Sequence, residues 1–226
     1  MKRAIYGSQK SDKRLNSPLD CLTNVIDLLA NRTCWIFDLD GTLTLPIHDF
    51  AFICRELAIP DGADILGHLD TLAPEEASRR HLQLNEIERD LAFRAEVAPG
   101  VLDLLSLLDS CGFSMGILTR NSREVALLTL EAIGARQYFY DNHVLGRDEV
   151  PPKPDPAGII HLLEQWQSDT DDVVMVGDYL FDLQAGRAAG VITIHVGRPD
   201  GQRWPDVSDV IVDSLTDLVE MLKQKN

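Results

Sequence analysis

Four short runs of apolar residues, each followed by polar residues or glycine, constrain the fold of this chain more than any other feature. They occupy residues 34–37, 113–118, 173–176 and 191–196. Continuous apolar runs of this length are typical of strands buried on both faces of a parallel sheet. Helical patterns lie between these runs, at residues 101–108, 124–133, 157–167 and 180–189, with Gly190 as a helix C-cap. The alternation predicts an α/β protein built as a three-layer α/β/α sandwich.

Residues 45–97, which we call the insertion, interrupt this alternation. They directly follow the loop of the first predicted strand and show helical patterns at 50–57, 74–84 and 86–93 without a strand. We therefore predict a small helical cap. The chain then divides into an N-terminal tail and helix (1–31), an α/β core (32–44 and 98–226) and the insertion (45–97). The leading helix is expected at 17–29, with Ser17 as its N-cap and Pro18 in its first turn.

The charge balance limits the possible partners. The chain carries 36 acidic and 21 basic residues, a net charge of −15, which repels nucleic-acid phosphates unless a basic face is segregated. Its apolar runs are all shorter than the roughly 18 residues that a membrane helix needs. We therefore expect no nucleic-acid and no membrane partner, and a cytoplasmic location. An acidic protein that acts on an anionic substrate needs a local cation, and a bound divalent metal ion is the usual one.

The first predicted strand ends in two closely spaced acids, Asp38 and Asp40. Side chains at i and i+2 of extended backbone project to the same side, so both carboxylates face one space while Leu39 points away. In Rossmann-like parallel sheets, ligands bind beyond the carboxyl ends of the strands, where this pair lies. One carboxylate could attack phosphorus as a nucleophile, and the other could protonate the leaving alcohol and later deprotonate water.

The run Asp38-Leu39-Asp40-Gly41-Thr42 resembles the D-x-D-G-T motif of phosphatases in the haloacid dehalogenase-like hydrolase superfamily. The family's other motifs are matched in the expected order. Thr119 resembles the hydroxyl residue that holds the transferring phosphoryl group, and Lys153 resembles the lysine that neutralises its charge. The segment 177–182 resembles the G-D-x-x-x-D motif that supplies metal-binding carboxylates. The resemblance implies a capped phosphatase similar to phosphoglycolate phosphatase-like enzymes.

This resemblance implies a catalytic pair, a phosphate-binding set and a metal-binding set. In the catalytic pair, Asp38 is the nucleophile and Asp40 the general acid/base. The phosphate-binding set is Thr119, Arg120, Asn121 and Lys153. The metal-binding set is Asp38, Asp178 and the backbone carbonyl of Asp40, with Asp182 reaching the ion through another ligand or a water molecule. Converging carboxylates repel one another without a cation, and Mg²⁺ prefers oxygen ligands. We therefore predict a Mg²⁺-dependent phosphatase that hydrolyses a small phosphorylated metabolite through an aspartyl-phosphate.

The same residues also allow plainer interpretations. Thr119, Asp178 and Asp182 could cap helices. Lys153 could lie on the surface, and Arg120 could pair with an acid instead of a phosphate. A phosphomutase shares the predicted residues, a dehalogenase of the same superfamily lacks the second acid and the metal, and a non-catalytic protein could retain the fold. Basic residues and histidines of the insertion, His48 among them, could contact an acidic group of the substrate, but they are interpreted mainly as a solvated helix face.

The motifs leave the substrate open. Phosphoglycolate phosphatase-like proteins often continue the first motif as D-G-T-L-V-D-S, whereas this chain continues it as Thr44-Leu45-Pro46. The sequence therefore does not assign glycolate phosphate or a hexose phosphate as the substrate.

Overall fold

A computed structural model describes residues 27–29, 31–198 and 200–223. The centre of this described part is a six-stranded sheet. Its strands are β1 (Cys34–Phe37), β2 (Ser114–Leu118), β3 (Val144–Leu145), β4 (Val173–Gly177), β5 (Ile192–Val196) and β6 (Val210–Val212). They lie in the order β3-β2-β1-β4-β5-β6, and every neighbouring pair is parallel. The predicted parallel α/β sheet is therefore confirmed.

The strand order places β1 next to the point where the direction of winding reverses. From β1 the chain moves outward through β2 and β3, then crosses to the other side of β1 and continues outward through β4, β5 and β6. Phe37, at the end of β1, is in register with Ile117 of β2 and Val176 of β4. The loops after these three strands therefore open on one crevice, where parallel sheets of this kind bind ligands.

The insertion is helical in the structure. It contains α1 (Phe50–Glu56), α2 (Ile65–Leu69) and α3 (Pro74–Ala92), which enclose a hydrophobic cluster of their own. Asp49 and Asp64 are the N-caps of α1 and α2, since their carboxylates accept the backbone N–H groups of Phe52 and Gly67 at 2.9 and 3.3 Å. The division of the chain into a core and a cap unit stays a prediction.

Two details of the predicted insertion are wrong. The sequence predicts separate helices over 74–84 and 86–93, but α3 is continuous through Asn85. Asparagine is a poor helix former, yet here its side-chain oxygen accepts the Ser122 hydroxyl at 2.8 Å, so a tertiary contact outweighs the local preference. The short helix α2 was also missing from the prediction, because five residues show no clear period.

The two ends of the insertion lie side by side. Thr44 and Val97 form an isolated antiparallel bridge. On either side of it, the N–H of Leu45 donates to the carbonyl of Glu96 at 2.8 Å, and the N–H of Ala98 donates to the carbonyl of Leu43 at 3.0 Å. We call this paired segment, residues 43–45 with 96–98, the neck.

Helices cover both faces of the sheet. One face packs against α4 (Val101–Ser110), α5 (Arg123–Ala132) and α8 (Leu215–Lys223), and the other against α6 (Ala157–Trp166) and α7 (Leu180–Ala189). Successive residues of β1 alternate between the two hydrophobic cores, with Trp35 and Phe37 in the first and Cys34 and Ile36 in the second. The predicted three-layer sandwich is therefore confirmed.

The edge strands β3 and β6 were not predicted. They contain two and three residues, which is too few for periodicity to distinguish a strand from a loop. Their hydrogen bonds to β2 and β5 define them as strands. Pairing with a neighbour, rather than local sequence, therefore sets these edges.

Only the last turn of the predicted leading helix falls within the described residues. Residues 27–29 are helical and Leu29 is buried in the first core, while the rest of the predicted 17–29 segment lies outside the described part. Gly190 follows α7 in the left-handed conformation, as predicted for a C-cap. Across the described ranges, no helix combines the length and the apolar character that a membrane crossing requires.

A substitution at Gly100 tests how closely α4 packs against α8. Its φ is 83°, and a Cβ atom there would lie 2.3 Å from the backbone nitrogen of Thr216. Gly112 has a similar φ of 72° but nothing within 4 Å of such an atom. We expect Gly112→Ala to cost about 1 kcal/mol for its backbone conformation, and Gly100→Ala to cost about 2 kcal/mol more because of the clash. Urea unfolding measures both, and equal losses would contradict this view of the interface.

Candidate active site

Asp38 and Asp40 lie at the carboxyl end of β1. The N–H of Asp38 donates to the carbonyl of Val176 at 2.9 Å, which extends the pairing of β1 with β4 by one residue. Gly41 follows with a φ of 88°, and a Cβ atom on it would lie 2.6 Å from Oδ2 of Asp178. A glycine is therefore needed for the loop to turn this close to the Asp178 carboxylate.

Lys153 is a buried cation between two carboxylates. Its Nζ lies 2.6 Å from Oδ1 of Asp38 and 2.7 Å from Oδ1 of Asp182, and the lysine side chain is 1% exposed. Burial alone would lower the pKa of Lys153, but the charges of Asp182 and Asp38 outweigh burial and raise it. Lys153 is therefore a protonated residue of the crevice and not a surface lysine.

The Asp178 carboxylate shares a hydroxyl neighbour with that of Asp38. Oγ1 of Thr42 is 3.1 Å from Oδ2 of Asp38 and 3.4 Å from Oδ1 of Asp178. Arg198 donates to Oδ2 of Asp178 at 2.7 Å. Burial, and then the charges of Asp38 and Asp182, raise the pKa of Asp178 to about 8. The crevice therefore opposes the simultaneous ionisation of all its acids.

Asp182 lies in the first turn of α7, close to the other two acids. Its Oδ2 accepts the N–H of Tyr179 at 2.9 Å, and its Oδ1 pairs with Lys153. Burial is the main reason that the pKa of Asp182 is raised, to about 6. Asp38, Asp178 and Asp182 each offer one carboxylate oxygen, and these three oxygens lie within 4.8 Å of one another. That spacing allows one cation to be shared.

Thr119 and Asn121 follow β2 and reach the same crevice. The N–H of Thr119 donates to the carbonyl of Leu145 at 3.0 Å, and its hydroxyl oxygen accepts the N–H of Asn121 at 3.1 Å. Nδ2 of Asn121 donates to Oδ2 of Asp40 at 2.7 Å. Burial raises the pKa of Asp40, although His48 and Asn121 oppose this shift. Asn121 is thus a direct partner of the second acid, a contact that the sequence did not indicate.

Arg120 joins the core to the insertion. Its guanidinium forms a salt bridge with Asp64 at the start of α2 and donates to the backbone carbonyl of Lys153 at 2.7 Å. The same group lies 4.7 Å from the ring centre of Phe181. In the structure Arg120 therefore pairs with an acid, as the plainer interpretation of the sequence predicts. Its predicted contact with phosphate stays a prediction.

A cavity of about 690 Å³ lies over these residues, with walls from the core and from the insertion. His48 lines it, with Nε2 3.9 Å from Oδ1 of Asp40 and its ring stacked on Phe50. The His48 side chain is 10% exposed, so its interpretation as part of a solvated face is wrong. A larger groove, of about 990 Å³, lies between α3 and α5 but is lined by none of the three clustered aspartates.

A second, buried ion pair fastens α3 to the core. Nη1 of Arg147 lies 2.9 and 2.8 Å from the two carboxylate oxygens of Glu88, and both side chains are less than a tenth exposed. Arg147 also donates to the backbone carbonyl of Arg120 at 3.0 Å. The segment that carries Thr119 to Asn121 is therefore tied to the insertion as well as to the sheet.

Three residues of the crevice were not among the predicted site residues. Thr42 belongs to the quoted first motif, but no role was assigned to it. Arg198 follows a predicted strand, so the strand-end rule that identified the acids also points to it. The sequence did not indicate the contact between His48 and Asp40, because it depends on how the insertion folds back.

Comparison with known proteins shows the family of this chain. The model for haloacid dehalogenase-like hydrolases matches residues 54–196, which include Thr119, Lys153 and Asp178. A haloacid dehalogenase-like hydrolase domain-containing protein of Arabidopsis thaliana is 30% identical over 207 residues, covering 83% of this chain and 82% of that protein. This chain therefore belongs to the haloacid dehalogenase-like hydrolase family, and it is a hydrolase by that membership.

Two further comparisons describe its neighbours. A phosphoglycolate phosphatase of Nitrosospira multiformis is 30% identical over 168 residues, which is 72% of this chain and 73% of that protein. The crystal structure of a hydrolase from Pseudomonas syringae superposes with a TM-score of 0.70 at 23% identity, covering 85% of this chain and 99% of that one. The structural likeness supports the assigned fold.

The buried pair between Glu88 and Arg147 leads to a stability prediction. Arg147→Met removes the cation beside Glu88, whose pKa burial already raises to about 7, so Glu88 is left buried either as an unpaired charge or as a protonated acid without its donor. We expect this to cost about 3 kcal/mol of unfolding free energy. The double variant Glu88→Met/Arg147→Met should recover most of that loss, because neither charge remains. Chemical denaturation provides the measurement.

Arg89→Met is the matched control for this test. Arg89 pairs with Glu124 between the same two parts of the chain, but both side chains are well exposed, so we expect a loss below about 1 kcal/mol. If the single variant Arg147→Met is as stable as Arg89→Met, the buried pair is not the main contact that holds α3 against the core.

Proposed function

We propose that this protein is a Mg²⁺-dependent phosphatase that hydrolyses a small phosphorylated metabolite through an aspartyl-phosphate on Asp38. The observation that carries the proposal is the meeting of Asp38, Asp178 and Asp182, whose ligand oxygens lie within 4.8 Å of one another. Relatives named phosphoglycolate phosphatase, from Nitrosospira multiformis and Pseudomonas aeruginosa, support a phosphate monoester as the substrate. Action in the cytoplasm stays part of the prediction.

The acidic cluster fits a hard divalent cation. Its donors are carboxylate oxygens, which favour Mg²⁺ over the softer metals that select sulfur and imidazole ligands. Asp38 and Asp178 would hold the ion with their side chains and Asp40 with its backbone carbonyl, while Asp182 would act through water. The raised pKa of Asp178 supports this assignment, because a cluster that disfavours its own ionisation gains most from an added positive charge. When bound, the ion would neutralise phosphoryl oxygens as charge develops on them.

The first chemical step is attack by Asp38. One of its carboxylate oxygens forms a bond to phosphorus while the bond from phosphorus to the ester oxygen breaks. Asp40 gives its proton to the leaving alcohol, and burial suits this role because it raises the pKa of Asp40 and so favours the protonated form. The products of the step are the free alcohol and an aspartyl-phosphate.

The second step returns the enzyme to its starting state. Asp40, now ionised, takes a proton from water, and the water oxygen attacks phosphorus while the bond to Asp38 breaks. Inorganic phosphate leaves and Asp40 is again protonated. Asn121, whose side chain donates to Asp40 at 2.7 Å, would hold this acid in place.

Lys153 and the hydrogen-bond donors that follow β2 would stabilise the negative charge on the phosphoryl group. Lys153 is fixed by Asp38 and Asp182 and is fully buried, so it presents a positive charge without reorganisation. Thr119 is buried at the end of β2, where its hydroxyl would orient the transferring group. Phosphoryl transfer depends mainly on such positioning and electrostatic stabilisation.

Asp38→Asn tests the nucleophile. Because an amide cannot form the aspartyl-phosphate, we expect kcat for release of phosphate from an aryl phosphate to fall by at least about 10³-fold. Asp103→Asn makes the same chemical change at an exposed position of α4 and should leave kcat unchanged. Circular dichroism checks that both variants are folded. Substantial turnover by folded Asp38→Asn would exclude Asp38 as the nucleophile.

Asp178→Asn tests the metal site without relying on activity. A ligand that binds the folded state raises the melting temperature, so saturating MgCl₂ should stabilise the wild-type protein and Asp103→Asn equally. We expect most of this increase to be lost in Asp178→Asn, because the variant lacks one charged ligand. An increase of the same size in Asp178→Asn would remove this residue from the metal site.

A further inference from the structure

The part of the cavity wall that comes from the insertion carries no positive charge from lysine or arginine. All residues of the insertion are described, and none of its arginines lines the cavity. Apart from His48, which lies beside Asp40, its contribution is apolar or acidic. The apolar residues are chiefly Phe50, Ile53, Ile65, Leu66 and Leu84, and the acids are Asp61, Asp64 and Glu88. Those side chains face the space that the alcohol part of a substrate would occupy if its phosphate lies at Asp38.

The cations that do line the cavity belong to the core and are already paired. Lys153 lies against Asp38 and Asp182. Arg198 pairs with Asp178 and Asp200, and Arg120 pairs with Asp64. Among the described residues, therefore, no cavity-lining lysine or arginine is left without an acidic partner to receive a second anionic group of the substrate.

The overall charge of the cavity wall also disfavours a second acidic group on the substrate. Among the described residues, seven carboxylates and three lysine or arginine side chains line the cavity. Glu88 is paired with Arg147 outside this lining, and Asp40 starts the proposed reaction in its protonated form, so five of the seven acids face the three cations. A divalent ion and a doubly ionised phosphate add charges of equal size and opposite sign, so the excess of negative charge remains when both are bound. A further carboxylate or phosphate on the substrate would be repelled inside this partly enclosed space, where screening by water is reduced.

Exposed aromatic rings, rather than unpaired cations, are available in the cavity to contact the alcohol part of the substrate. Phe50 is 59% exposed and Tyr179 is 40% exposed, and both line the cavity. Exposed aromatic rings bind apolar groups, and their faces also attract cations. From this wall, and on the basis of the phosphatase function proposed above, we infer that the substrate is a monophosphate ester whose alcohol part is neutral or cationic with an apolar surface. The ester carries no second acidic group, which excludes phosphoglycolate as the preferred substrate.

The test compares esters that differ in one charged group. Benzyl phosphate, 4-carboxybenzyl phosphate and 4-(aminomethyl)benzyl phosphate have the same scaffold and similar leaving alcohols, and phosphoglycolate is added as a small acidic ester. We expect kcat/KM for each acidic ester to be at least tenfold below that for benzyl phosphate. The aminomethyl ester should match or exceed benzyl phosphate.

A pair of variants at Phe50 assigns the preference to the wall. Phe50→Arg places a cation in the cavity, whereas Phe50→Leu removes the ring without adding charge. We expect the ratio of kcat/KM for 4-carboxybenzyl phosphate to that for benzyl phosphate to rise several-fold in Phe50→Arg relative to Phe50→Leu. An equal ratio in the two variants would overturn the role of the wall.

The outcomes separate this inference from the proposed function. If the wild-type protein releases phosphate but hydrolyses the acidic esters as well as the others, the substrate inference fails and the phosphatase assignment stands. If it hydrolyses none of the esters in the presence of Mg²⁺, the proposed function fails and the inference fails with it.

Discussion

Repulsion among the carboxylates at one end of the parallel sheet is the constraint on which the rest of the site depends. Asp38 follows β1, whereas Asp178 and Asp182 both lie on the segment that follows β4, and one carboxylate oxygen of each lies within 4.8 Å of the others. Lys153 neutralises part of this charge from a fully buried position, and Gly41 allows the first loop to turn against Asp178 without a clash. The strand order brings these groups together, so the fold imposes the charge density that the proposed metal ion would relieve.

Much of this arrangement could be predicted because its signals are local in sequence. Continuous apolar runs identified the strands that carry the site, and the acids follow those strands directly, so a general rule about parallel sheets indicated where they would meet. The strands β3 and β6 were missed because two or three residues contain no period. Their identity depends on pairing with β2 and β5, which is a tertiary property.

Contacts between the insertion and the core could not be predicted in the same way. Arg120 meets Asp64 across 56 positions of sequence, and Arg147 meets Glu88 across 59. Such partners are set by how α2 and α3 dock, and nothing local distinguishes an arginine that binds a phosphate from one that holds an insertion. The assignment of Arg120 to phosphate followed its position after β2, whereas its contacts in the structure follow from the docking.

The neck has a consequence for how this protein and its relatives can diverge. Because Leu43 to Leu45 run beside residues 96–98, the polypeptide departs from the sheet and rejoins it at a single place. Lengthening, shortening or exchanging the insertion at that junction leaves the course of the core strands unchanged, but a new insertion must replace the contacts that Asp64 and Glu88 make with Arg120 and Arg147. Evolution can therefore change which molecules the cavity accepts while it keeps the core strands and the residues that follow them. A laboratory chimaera joined at the same junction would do the same.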